Sequence, residues 1–116
     1  MKQNGGWVVM KMIRAIVRPE KVDEVLEALL DAGYPAVTRM DVYGRGKQKG
    51  LQVGGVFYSE LPKNMFLMVI EDEVEEKVIS IIVDKAKTGD GNFGDGRIFV
   101  TPVLRAYTVS SQSEGL

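Results

Sequence analysis

The spacing of hydrophobic residues changes along this chain, and each change marks an element. Over residues 8–17 apolar side chains come at short intervals (Val8, Met10, Met12, Ile13, Ala15, Ile16, Val17), which predicts a strand partly buried on both faces. Pro19 fits the first turn of a helix, where its missing N–H costs nothing. Behind it Val22, Val25, Leu26, Leu29 and Leu30 recur every three or four residues, while Lys21, Asp23, Glu24 and Glu27 fall elsewhere. That is the apolar stripe of an amphipathic helix, which Gly33 closes. Strands are expected at about residues 36–43 and 64–70, separated by a stretch at 44–50 too rich in Gly and Lys for a regular element. Glu71, Asp72 and Glu73 open a second helix, with Asp72 and Glu75 spaced as in a capping box and acidic charge suited to the helix dipole. Val74, Val78, Ile81, Ile82 and Ala86 form its buried face, widened by Ile79 and Val83. A loop with four glycines at 88–96 leads into a strand at 97–100. Pro102 marks an edge or a break, with 103–109 available to pair beyond it. The polar tail 110–116 is expected to be flexible.

The order βαββαβ, two strand–helix–strand halves, predicts an α+β, ferredoxin-like domain: an antiparallel sheet with two helices on one face. Four short strands leave the other face open, and an exposed apolar sheet face favours oligomerisation.

At 116 residues the chain is a single domain, and its hydrophobic fraction of 45% suits a soluble globular protein. A net charge of −1 gives no global reason to expect nucleic acid, so local charge must carry any anion chemistry. The absence of Cys excludes disulfides and thiolate chemistry, and the absence of His removes the commonest general base and metal ligand. The usual hydrolytic triads cannot be built. No apolar run approaches the roughly 20 residues of a membrane span, and the polar start lacks the core of a signal peptide. A cytoplasmic protein without membrane partners is expected, with residues 1–9 an N-terminal extension.

Three segments could carry chemistry. Gly44-Arg45-Gly46-Lys47-Gln48-Lys49-Gly50 combines backbone freedom with three cations and an orienting amide, a pattern that suits an anion or a plain solvated hairpin loop. It is neither a P-loop, lacking the Lys-Ser/Thr ending, nor a dinucleotide fingerprint, since no helix follows. The loop 88–97 is long for a helix-to-strand connection, which usually takes about 2–6 residues. It fails as a calcium loop, because Gly94 stands at the fifth position and no bidentate Glu closes it. Leu61-Pro62-Lys63 places one Lys, ordinarily a solvated residue, across the inferred hairpin from Gln48.

Together these segments resemble the PII nitrogen-regulatory family: Gly44-x-Gly46-x-Gln48-Lys49-Gly50, then Leu61-Pro62-Lys63, then Thr88-Gly89 with Gly94-Asp95-Gly96-Arg97-Ile98-Phe99-Val100. The opening Arg14-Ala15-Ile16-Val17-Arg18-Pro19 and Thr38 also match. The resemblance implies a trimer that binds ATP or ADP in clefts between subunits. By position, Gly44, Gly46, Lys47 and Gln48 would line the nucleotide. Gly94, Asp95, Gly96 and Arg97 would cradle phosphates, and Thr38 would reach the base from a neighbouring subunit. Gln48 and Lys63 match the positions that hold 2-oxoglutarate, with Gln48 also facing magnesium on ATP. Residues 44–60 would form the effector loop and 88–97 the phosphate loop.

The departures from the family pattern refine the resemblance. The effector loop is about four residues short, and the position of the modifiable tyrosine falls on Val56. The phosphate loop carries two extra residues around 90–93. A familiar Glu falls on Leu67, and two C-terminal arginines fall on Thr108 and Ser110. This combination resembles the first paralogue of the nitrogenase-associated NifI-type branch. The resemblance implies a regulator that inhibits nitrogenase by direct binding when 2-oxoglutarate is low, acting with a second PII-like paralogue in homo- or hetero-oligomers built on trimers. A PII-like regulator of glutamine synthetase or an ammonium transporter is the alternative. Catalysis such as a weak ATPase is disfavoured by the missing His and by Leu67, so a non-enzymatic role is expected.

Overall fold

The computed structural model describes residues 2–3, 6–7, 9–45, 52–53, 56–57 and 60–116, with side chains from 9–45 and 60–116. Its main elements are β1 (Met10–Val17), α1 (Pro19–Asp31), β2 (Thr38–Gly44), β3 (Leu61–Glu71), α2 (Glu75–Ala86) and β4 (Gly96–Val103). The strands form one antiparallel sheet in the order β2-β3-β1-β4. The chain is therefore the expected βαββαβ ferredoxin-like fold. Two-residue ladders pair Lys2–Gln3 with Gly6–Trp7 and Gln52–Val53 with Val56–Phe57.

The core lies between the helices and one face of the sheet. Ile13, Ala15 and Val17 of β1 and Phe66, Met68 and Ile70 of β3 alternate inward, against Val22, Val25 and Leu29 of α1 and Val78, Ile82 and Ala86 of α2. Period two in the strands and period near 3.6 in the helices place these residues on facing surfaces. The helical stripes are narrower than the sequence suggests: Leu30 and Val83 are exposed, and Ile79 and Ile81 are only partly covered.

Helix α1 starts at Pro19, and Arg18 before it is held extended (φ −62°, ψ 139°), as a residue preceding proline must be. Its end is a Schellman motif. The Tyr34 N–H donates to Leu29 O at 2.8 Å and the Gly33 N–H to Leu30 O at 3.0 Å, with Gly33 at φ +95°. Helix α2 departs from expectation. A 3-10 turn at Asp72–Val74 precedes it, and neither Asp72 nor Glu75 makes a capping box. Both carboxylates instead hold Lys11 of β1, at 2.7 and 3.0 Å, tying the helix start to the sheet.

Strand boundaries differ where topology decides them. β1 begins at Met10 rather than at residue 8, and Val9 accepts a hydrogen bond from the Asp72 N–H at 2.8 Å. β3 starts at Leu61 and runs through Pro62, because there it has outrun β1, whose last partner is Asn64. β4 continues through Pro102 to Val103 because it is an edge strand. Beyond it the chain makes only the isolated bridge Tyr107–Glu114. The 110–116 segment is drawn into a turn by backbone bonds from Gln112 to Thr108, Thr108 to Ser113 and Gly115 to Ala106.

The second face of the sheet carries no helix. Register places Met12, Arg14 and Ile16 of β1 on it, with Met65, Leu67 and Val69 of β3, Thr38, Met40 and Val42 of β2, and Arg97, Phe99 and Thr101 of β4. None of these belongs to the core cluster.

Candidate functional site

The glycine-rich loop after α2 closes on a single carboxylate. Asp95 accepts hydrogen bonds from Thr88 Oγ1 at 2.6 Å, the Asn92 N–H at 2.8 Å, Arg18 Nε at 3.0 Å and the Thr88 N–H at 3.1 Å. Asn92 Nδ2 returns to Thr88 O and Oγ1 at 2.9 and 2.8 Å. Arg18 also donates to the Phe93 carbonyl at 2.9 Å. Partial burial opposes ionisation of Asp95, but the bonds from Thr88, Asn92 and Arg18 outweigh it and hold its carboxyl well below the usual carboxylate range. The carboxylate is thus spent inside the loop, which leaves backbone N–H groups and neighbouring cations as the groups available to an anion.

Glycine is required at two points. Gly94 has φ +92°. Gly96 has φ +126°, and a Cβ there would lie 1.9 Å from the Ile16 carbonyl oxygen, because β4 begins pressed against β1.

Lys63 of β3 joins the loop from the other side, its Nζ donating to the Gly94 carbonyl at 2.6 Å. Burial, followed by the nearby Arg18 charge, lowers its pKa. Gly44, at the end of β2, lies beside it: a Cβ there would sit 3.9 Å from Lys63 Cγ. The end of the sheet therefore brings together Gly44, Lys63, Gly94, Asp95 and Gly96. Arg97 follows on β4, its guanidinium 5.9 Å from the Phe99 ring centre.

Other expected site residues stand apart. Thr38 opens the edge strand β2 opposite Leu67, on the helix-free face and at the end of β2 away from Gly44. Gly46, Lys47 and Gln48 lie outside the described residues, so the magnesium and 2-oxoglutarate roles of Gln48 have no geometry here. Among the described residues no group of three His, Cys, Asp or Glu side chains could hold a metal.

The donor set fits an anion. Asp95 neutralises Arg18, whereas Lys63 and Arg97 have no carboxylate partner among the described residues. On its α2 side the loop walls an open cleft of about 800 Å³, floored by Ile79, Ile82, Val83 and Ile98. Asp95, Gly96 and Arg97 also line that cleft, whereas Lys63 meets the loop at the Gly94 carbonyl. Arg18 and Asn92 are the residues that sequence reasoning missed. The signal for Arg18 was its place at the end of a strand directly before Pro19, which fixes its backbone and aims it past the strand. Asn92 carries no signal of its own beyond its place in the long 88–97 loop.

A ferredoxin-like sheet with a glycine loop and a lysine converging at one end defines a small α+β domain of the βαββαβ class. Residues 10–113 match the family of Nitrogen regulatory protein P-II, and the chain belongs to that family of regulatory proteins. It is 55% identical over 107 residues to "Nitrogen fixation nifHD region glnB-like protein 1" of Methanococcus maripaludis, covering 92% of this chain and all of that one. It is 37% identical over 124 residues to "Nitrogen fixation nifHD region GlnB-like protein 2" of Methanothermococcus thermolithotrophicus, covering 91% and 95%. Among solved structures, Arabidopsis thaliana PII bound to citrate superposes with a TM-score of 0.75 at 32% identity, covering 91% of this chain and 85% of that one. Among the described residues no helix is long and apolar enough to cross a membrane.

Proposed function

We propose that this chain regulates nitrogen fixation by sensing ATP or ADP together with 2-oxoglutarate, and that it inhibits nitrogenase by direct binding when 2-oxoglutarate is low. The observation that carries the reading is Lys63 held against Gly94 at the end of the sheet. An ammonium beside a glycine loop suits a dicarboxylate lying against a phosphate chain. Gln48 completes the dicarboxylate site and meets magnesium, which arrives with the nucleotide. Gly44, Gly46 and Lys47 line the nucleotide, Gly94 to Arg97 cradle its phosphates, and Thr38 serves the cleft of a neighbouring subunit in a cytoplasmic, trimer-based oligomer.

The names of the two nitrogen-fixation-region relatives support the target and the existence of a second paralogue as partner. The citrate in the Arabidopsis relative supports an appetite for polycarboxylates. Calorimetry of 2-oxoglutarate with magnesium and ATP present tests the ligand, and inhibition assays on purified nitrogenase with and without 2-oxoglutarate test the target. Absence of 2-oxoglutarate binding, or inhibition indifferent to it, overturns the reading.

A further inference from the structure

The loop between α2 and β4 is closed on itself largely by Asn92, which is bonded through backbone and side chain alike. Its Nδ2 donates to Thr88 O and Oγ1 at 2.9 and 2.8 Å, and its N–H donates to Asp95 Oδ2 at 2.8 Å. Its carbonyl accepts from the Asp95 N–H at 3.2 Å, and the Gly91 N–H joins Thr88 O at 2.9 Å. Thr88, at the helix end of the loop, is thereby tied through Asn92 to Asp95, at the strand end.

The N–H groups of Thr88, Gly91, Asn92 and Asp95 are all spent inside this ring. Those of Phe93 and Gly94, between Asn92 and Asp95, donate to no group among the described residues. The carbonyls of the same two residues are each held by a cation from another part of the chain, Phe93 O by Arg18 at 2.9 Å and Gly94 O by Lys63 at 2.6 Å. A trans peptide points its N–H away from its C=O, so the hold on Phe93 O also sets the direction of the Gly94 N–H. With Gly94 at φ +92°, two successive unspent N–H groups offer a concavity to an anion. A loop with four glycines would otherwise sample many backbone states, and ordering it on binding would weaken affinity.

We infer that Asn92 is a positioning residue of the anion site: by tying Thr88 to Asp95 it holds the Phe93 and Gly94 N–H groups ready for a phosphate group before the ligand arrives. It acts through these amides rather than on the ligand. This deepens the proposed function and rests on that reading for the identity of the anion.

The test uses the full chain and two variants that open the ring from opposite sides, Asn92→Ala and Thr88→Val, with thermal melts to establish that both are folded. In calorimetric titrations with magnesium and ATP, each variant is expected to bind at least about tenfold more weakly than the wild type. Amide exchange separates positioning from general loosening. Residues 88–95 should exchange faster in the free variants and regain wild-type protection at saturating ATP, while β1 and β3 exchange as before. Faster loop exchange with unchanged affinity overturns the inference, and so does loop exchange that neither variant alters. Inorganic triphosphate distinguishes this inference from the proposed function. Wild type that binds triphosphate but not ATP overturns the nucleotide reading alone, and the variants are then compared on triphosphate. Wild type that binds neither overturns both.

Discussion

Lys63 Nζ lies 2.6 Å from the carbonyl oxygen of Gly94, so a cation that ties β3 to the glycine-rich loop is also the cation expected to hold the dicarboxylate. The two engagements draw on the same ammonium. Lys63→Ala is expected to weaken 2-oxoglutarate binding, measured calorimetrically with magnesium and ATP, by at least about tenfold, the scale of a lost charged hydrogen bond. Amide exchange across 88–96 should also quicken, since the loop loses its tether. Unchanged affinity would remove Lys63 from the ligand site.

Asp95 predicts an acid-sensitive loop. Its carboxyl ionises at lower pH in the folded chain than the ordinary value of about 3.9, so its stabilisation is present at neutral pH and is lost as pH falls through the folded range. Asp95→Asn should cost about 1–3 kcal/mol at pH 7. In urea titrations at a series of pH values, wild type and variant should converge below about pH 4. A constant gap across that range contradicts the hydrogen-bond account.

Gly96→Ala should destabilise the chain by more than about 2 kcal/mol. The new methyl meets the Ile16 carbonyl and the backbone must hold φ +126°. Chemical denaturation measures this directly, and a loss within about 0.5 kcal/mol would mean that β4 can start elsewhere.

Asn64 is buried, and while its Nδ2 donates to Asp41 at 2.9 Å, its Oδ1 has no partner among the described residues. Replacing it by Val removes an orphaned acceptor, and Asp41 is exposed enough to be solvated by water. Asn64→Val is expected to be neutral or to stabilise by about 1 kcal/mol, read as a change in melting temperature. A clear loss of stability would show that Oδ1 has a bound water worth keeping.

Much of the fold was legible because it is written in local periodicity. Val22, Val25 and Leu29 declare one helical face, and Ile13, Ala15 and Val17 one strand face, without any knowledge of neighbours. What could not be read depends on contacts distant in sequence. The Asp72 and Glu75 spacing reads as a cap until Lys11, far back in β1, takes both carboxylates. Pro102 reads as an edge or a break until strand order places it at an edge. The candidate site divides in the same way. Glycines and Lys63 are visible as residue types, but the hub at Asp95 is built by Arg18, 77 positions earlier. Only the pairing of β1 with β4 brings the two together.

That edge strand has one more effect. Among the described residues β4 offers eight residues of backbone with no strand beyond it, a length on which another chain could stack, strand upon strand, into a fibril. Pro102 deletes an amide hydrogen from the strand, and the strand opens on the left-handed backbone of Gly96, so a docking strand would find an interrupted template. Lateral growth from this edge is thereby discouraged.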